Sequence, residues 1–166
     1  MSVYHESFKV KNNNHKPIFH DVTEKVKEIV SNINIKNGIV VVYSQHTTCS
    51  IIIQEESHDV TMDGTKFLMQ DLLDVLEKII PTCKREGNYL HPGPLHIKHA
   101  EENLNELGVW SLNTDAHLRS CIIGRSETIP LVDSKMELGE FGEIYLVDFD
   151  SVRTRERFVH VQIIGE

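Results

Sequence analysis

The densest gathering of chemically able side chains is Gln45-His46-Thr47-Thr48-Cys49-Ser50, which continues through Ile51-Ile52-Ile53 to Gln54-Glu55-Glu56. An imidazole can donate, accept, hold a metal or move a proton, and hydroxyls donate to anionic oxygens. His46 with Thr48 and Ser50 therefore makes a candidate site for a phosphate or carboxylate. The competing reading is a turn whose hydroxyls satisfy local backbone groups. If the chain stays extended from 46 to 52, side chains alternate between faces. His46, Thr48 and Ser50 then share one face, and Cys49, Ile51 and Ile53 point into a core on the other. Glu55 and Asp59 add carboxylates just beyond the strand.

Two more segments place histidines at the edges of elements: His91-Pro92-Gly93-Pro94, and Asn113-Thr114-Asp115-Ala116-His117-Leu118-Arg119-Ser120. Drawn together, His46, His91 and His117 could hold a divalent metal, or bind phosphate and shuttle protons. The bland alternative is three unrelated surface histidines. In a shared site, Glu55 or Asp115 is expected to hydrogen-bond one ring and fix its tautomer. His96 and His99 lie three apart and could form a helical metal pair, but read as solvent-facing. Arg153-Thr154-Arg155-Glu156-Arg157 is either a phosphate clamp or a solvated turn paired with nearby carboxylates. No GxGxxG, Walker or GxSxG pattern is present, which disfavours the common nucleotide-binding and hydrolase families.

The elements that must carry these residues follow from hydrophobic spacing. Residues 3–11 alternate as a strand, followed by a turn-rich stretch from Asn12 to Pro17. Asp21 and Glu24 resemble a capping box ahead of Val22, Val26, Ile29, Val30 and Ile33, which recur at helical spacing. Asn37-Gly38 turns the chain into a strand over 39–44, and a second strand runs through Ile53. Ser57 or Asp59 caps a long helix with a stripe of Phe67, Leu68, Leu72, Val75, Leu76 and Ile79, closed by Pro81. Residues 82–112 are irregular, with a short helix expected over His99–Leu107, and a stretch of this length suits a functional loop or lid. A two-turn helix follows from Asn113 to Gly124. The remainder reads as antiparallel strands at 127–132, 136–138, 143–149 and 157–164. The expectation is one α+β domain over 1–166, with a mixed or antiparallel sheet and two or three helices.

A chain of 166 residues can bury roughly two-thirds of its extended surface in one domain. Its net charge of −8 disfavours nucleic acid and anionic membranes as partners but leaves an anionic small molecule open. No apolar run approaches the roughly 20 residues of a spanning helix, and the N-terminus lacks a signal pattern. Cys49, Cys83 and Cys121 are odd in number and widely spaced, so a reducing cytoplasm is expected.

Several segments taken in order resemble one family. His46-Thr47-Thr48-Cys49-Ser50 through Gln54-Glu55-Glu56 and Asp59 is similar to the H-T-[ST]-x-[SG]…[NQ]-E-x-x-D stretch of the YjbQ-like family, also called the secondary thiamine-phosphate synthase group. Ala116-His117-Leu118-Arg119, then Gly124, Ser126 and Thr128-Ile129-Pro130, resembles its A-H-[IL]-[KR]…G-x-S-x-T-I-P stretch. Leu138-Gly139, Phe149-Asp150 and Arg153 to Arg155 are similar to its L-G…F-D-G-P-R-x-R ending.

The resemblance implies a compact α+β subunit that assembles as a homotrimer and a secondary ability to make thiamine phosphate. In that reaction pyrophosphate leaves a pyrimidine methylene and a thiazole nitrogen attacks the resulting cation. His46, His91 and His117 would form the polar cluster, and Glu55 would be the acid/base or ligand-orienting carboxylate. Thr47, Thr48, Ser50, Asp115 and Arg153 would bind substrate, with a divalent metal as the expected cofactor. A non-catalytic metal- or anion-binding module is the second expectation. The chain departs from the pattern in its longer His91–Asn113 loop and in Ser151-Val152, which stands where the family has Gly-Pro.

Overall fold

The computed structural model describes residues 1–12 and 16–166; residues 13–15 of the expected turn lie outside the described residues. The strands are β1 (Ser2–Asn12), β2 (Ile18–Asp21), β3 (Gly38–Tyr43), β4 (Cys49–Glu55), β5 (Ser126–Val132), β6 (Lys135–Met136), β7 (Gly142–Asp148) and β8 (Arg155–Gly165). The helices are α1 (Thr23–Ser31), α2 (Phe67–Ile79), α3 (Pro94–Leu104) and α4 (Thr114–Ile123), with a 3₁₀ turn at Gly108–Ser111. The strands form a five-stranded sheet, β1-β8-β3-β5-β6, and a three-stranded sheet, β2-β7-β4. Every strand pair is antiparallel.

The two sheets and α1 share one apolar cluster, built from Val26 and Ile29 of α1, Val40 and Val42 of β3, Ile51 of β4, Leu146 of β7 and Val161 of β8. The opposite face of the small sheet packs on α2 and α4 through Ile52, Val147, Met69, Leu76 and Ala116. The three-stranded sheet is therefore covered on both faces. That explains why β7 is buried without interruption from Ile144 to Asp148 and shows no polar alternation. The outward face of the large sheet remains open, with Val3, Ile39 and Tyr43 exposed.

Local chemistry moved several element boundaries. Among the described residues four α-helices form where two or three were expected. Asp21 is not the N-cap of α1 but precedes it, and its Oδ1 accepts the Thr23 N–H at 2.9 Å. The helix expected to begin at Ser57 or Asp59 begins only at Phe67. Gly64, at φ +83°, turns the chain there, and Thr61 Oγ1 accepts the Thr65 N–H at 3.1 Å. The short helix expected over His99–Leu107 runs instead over Pro94–Leu104, with Pro94 in its first turn, where the missing N–H has no intrahelical partner to lose. Strand β2 was not anticipated, since four residues carry too little pattern. Among the described residues no helix is long and apolar enough to cross a membrane.

Candidate functional site

The chain leaves β3 at Tyr43 and does not stay extended. Cys49 N–H donates to His46 O at 3.1 Å, which folds residues 46–49 into a turn. Phe149 N–H then donates to Thr48 O at 3.1 Å, holding that turn against the end of β7. The expected alternation from His46 therefore fails and begins only at Cys49. Thr47 and Thr48 are delivered to a rim, whereas Ser50 is fully buried on the Ile52 side of β4. Ser50 Oγ has no hydrogen-bond partner among the described residues and cannot reach a ligand.

That rim belongs to a cavity of about 290 Å³. One wall is the 45–48 turn with His46. A second is the basic segment entering β8, with Arg153, Arg155 and Arg157. The third runs from α3 to α4 and contributes His96, Glu106, Trp110, Asn113 and His117. Residues 155 and 157 share strand parity with the core residues Val159, Val161 and Ile163. This alternation was the sequence signal that Arg157 points inward, although the basic run read equally as a solvated turn.

Buried carboxylates hold the basic wall in place. Arg157, 1 % exposed, donates to Asp148 through Nε at 2.6 Å and Nη2 at 2.9 Å, and to Asp150 Oδ2 at 3.3 Å. Asn12 Nδ2 donates to Asp148 Oδ2 at 3.0 Å, and Asn113 Nδ2 to Asp150 Oδ2 at 3.5 Å. The fork-to-carboxylate geometry fixes the guanidinium plane. Sequence reasoning missed Asn12, whose partner Asp148 is 136 residues away, and missed that Arg157 pairs with Asp148, since nothing in a strand end and a basic run marks that pairing.

The histidines divide into two settings. His46 Nε2 accepts the Phe158 N–H at 2.9 Å, and its ring stacks on that of Phe158 at 6.2 Å. Burial and then the Arg157 charge hold its pKa below the ordinary value. His46 is thus a neutral imidazole that keeps Nδ1–H as its donor. His91 sits with His96 at 4.5 Å and His117 at 5.9 Å between ring centroids. Thr114 Oγ1 donates to His91 O at 2.5 Å and lies 2.8 Å from His91 Nδ1. With the hydroxyl proton already committed, Nδ1 is the donor and Nε2 carries the lone pair. Burial lowers the pKa of both His91 and His117, and for His91 the neighbouring His96 and His117 add to it.

The expected carboxylate support of these rings is not found; Thr114 takes that place. Asp115 is spent elsewhere, its Oδ1 accepting Cys83 N–H at 3.0 Å and its Oδ2 lying 3.9 Å from Arg119. Burial raises its pKa. Asp115 therefore ties the chain after α2 to α4 and does not line the cavity. Glu55 is exposed at the outer end of β4, opposite Gly142. At about 3.3 Å per residue it lies roughly 20 Å along the strand from Cys49. Neither carboxylate can serve the cavity within one subunit.

The residues present do not fit a resident metal. His46 has given Nε2 to the backbone, and three guanidinium groups line the same cavity. Among the described residues no group of three or more His, Cys, Asp or Glu gathers to hold an ion. His46 and His117 line one cavity, and His91 joins it from behind through His96 and His117. That arrangement offers donors to an anion.

The sequence and fold both have known counterparts. The family model of UPF0047 protein YjbQ-like matches residues 6–166. A UPF0047 protein of Archaeoglobus fulgidus is 30% identical over 139 residues, covering 84% of this chain and 86% of its own length. One from Methanocaldococcus jannaschii is 30% identical over 146 residues, covering 88% and 84%. Among solved structures, a YbjQ-like protein of unknown function from Sulfolobus solfataricus P2 superimposes with a TM-score of 0.73 at 27% identity, over 99% of both chains. A hypothetical protein from Aeropyrum pernix K1 gives 0.72 at 31% identity, over 98% of this chain and 99% of its own. On a match that leaves out only the first five residues, the chain belongs to the UPF0047 YjbQ-like family.

Proposed function

We propose that the cavity between the 45–48 turn, the start of β8 and the α3–α4 segment binds the phosphate or pyrophosphate group of a small molecule. The observation that carries this reading is the convergence of Arg153, Arg155 and Arg157 with His46 and Thr47 on one cavity. Guanidinium groups match phosphate oxygens with paired donors, and a neutral Nδ1–H on His46 adds one without adding charge.

The resemblance supplies the finer proposal, a secondary thiamine-phosphate synthase activity. Donors fixed at a departing pyrophosphate stabilise the charge that develops there, which is what a dissociative carbon–nitrogen bond formation requires. His46, Thr47, Thr48 and Arg153 are the oxygen-binding groups in this scheme. His117 lines the facing wall with His91 behind it; the new bond uses the thiazole nitrogen's own lone pair, so no proton has to be removed. Product formation from the two phosphorylated halves, compared between wild type and Arg153→Gln, tests it; equal rates reject the assignment. Pyrophosphate binding without product leaves the chain as an anion-binding module.

The same proposal includes a homotrimer in a reducing cytoplasm. Exposed Val3, Ile39, Tyr43 and Val132 on the large sheet support subunit contacts, and three free cysteines support the compartment. Light scattering at 19.0 kDa would refute the trimer.

A further inference from the structure

The cations of the cavity are already answered by anions of the protein itself. Arg157 is taken by Asp148 and Asp150, both fully buried and fixed from below. Arg153 differs. Its counter-ion is Glu106, with Oε1 2.7 Å from Arg153 Nη2, and Arg155 stands between the two sets, its Nη2 3.9 Å from Glu106 Oε1 and its Nε 3.8 Å from Asp150 Oδ2. Glu106 belongs to the segment after α3, not to the buried network. Its backbone is anchored, because Glu106 N–H donates to Ala100 O at 3.0 Å, yet 29 % of its side chain is exposed.

The pairing is incomplete. Arg153 Nε is buried with no hydrogen-bond partner among the described residues. Its guanidinium also lies against the ring of Trp110, 4.9 Å from the centroid. One carboxylate oxygen shared between two guanidinium groups leaves donors that a phosphate, with three oxygens, would fill.

We propose that Glu106 is a built-in competitor for the ligand anion: its carboxylate occupies the place on Arg153 and Arg155 that a phosphate takes. Binding swings the Glu106 side chain out and frees Arg153, which stays against Trp110. This rests on the reading of the cavity as an anion site and adds its gate. The consequence is selectivity. A monoanion gains little over Glu106 itself, whereas a pyrophosphate with several oxygens displaces it, so Glu106 sets a threshold of charge and oxygen count for entry.

The test uses the full chain with inorganic pyrophosphate as the probe, at constant ionic strength. Glu106→Gln and Glu106→Ala remove the competing charge and are compared with wild type by calorimetry. Trp110 is the single tryptophan, so its emission reports the segment directly. Both variants are expected to bind pyrophosphate about two- to fivefold more tightly, the range of one partly exposed ion pair. Their ligand-free emission should already lie toward the spectrum of pyrophosphate-bound wild type. Wild-type binding with equal or weaker binding by both variants overturns the competitor role and leaves the anion site standing. No pyrophosphate binding by wild type or either variant overturns the anion site and this proposal together.

Discussion

The Phe158 N–H donates to His46 Nε2 across 2.9 Å, joining the turn after β3 to the backbone of β8. A protonated Nε2 could not accept that bond, so the fold selects the neutral Nδ1–H form. NMR correlations between the ring nitrogens and protons of His46 should show a bare Nε2 at pH 7; an Nε2–H signal would refute the assignment.

The same bond predicts a pH dependence. Burial and Arg157 place the folded pKa of His46 below the ordinary value of about 6.5. As pH falls, the unfolded chain takes up the proton first, so the stabilisation is complete above about 6.5 and is lost as pH drops toward the folded pKa. Urea midpoints should fall between pH 7.5 and 5.5. His46→Gln keeps an acceptor for Phe158 and removes the titration, so its midpoint should fall less. An equal fall would assign the effect to the other buried histidines.

Asp148→Ala leaves the guanidinium of Arg157 buried with only Asp150 to answer it. A loss of about 3–5 kcal/mol in urea unfolding is expected, as for other broken buried pairs. A loss below about 1 kcal/mol would mean that water reaches Arg157.

Glu55→Gln should change pyrophosphate affinity by less than about twofold, since Glu55 stands clear of the cavity, whereas Arg155→Gln should weaken it about tenfold. If Glu55→Gln weakens binding as much, a Glu55 from another subunit must reach the site.

Thiol labelling of the native protein should find one fast cysteine. Cys121 is exposed, while Cys49 and Cys83 are buried. Burial, then the Asp148 charge, pushes the Cys49 thiol far above its ordinary range, so it has almost no thiolate to react. Two fast thiols would show that the core opens at Cys49 or Cys83.

Local patterns in the sequence determined much of the framework. The β-branched run through Val40 and Val42 marked β3, and Asn113 with Gly124 bounded α4 to within a residue. Both rest on neighbours in the chain, where periodicity and capping act. His46, Thr47, Thr48, His117 and Arg153 were also legible as site candidates by residue type and position.

Their roles were decided only in three dimensions. Asp115 and Glu55 looked equivalent as carboxylates near histidines, but one was spent on Cys83 and the other carried outward along β4. His46 could have been ligand, base or donor until the β3–β8 register set Phe158 against it, 112 residues away. Arg157 could have been a solvated cation until the sheets closed over it with Asp148 and Asp150. Side-chain chemistry is written residue by residue. Which atoms remain free to use it depends on partners that only the folded sheets bring together, and on burial that leaves those atoms no water as an alternative.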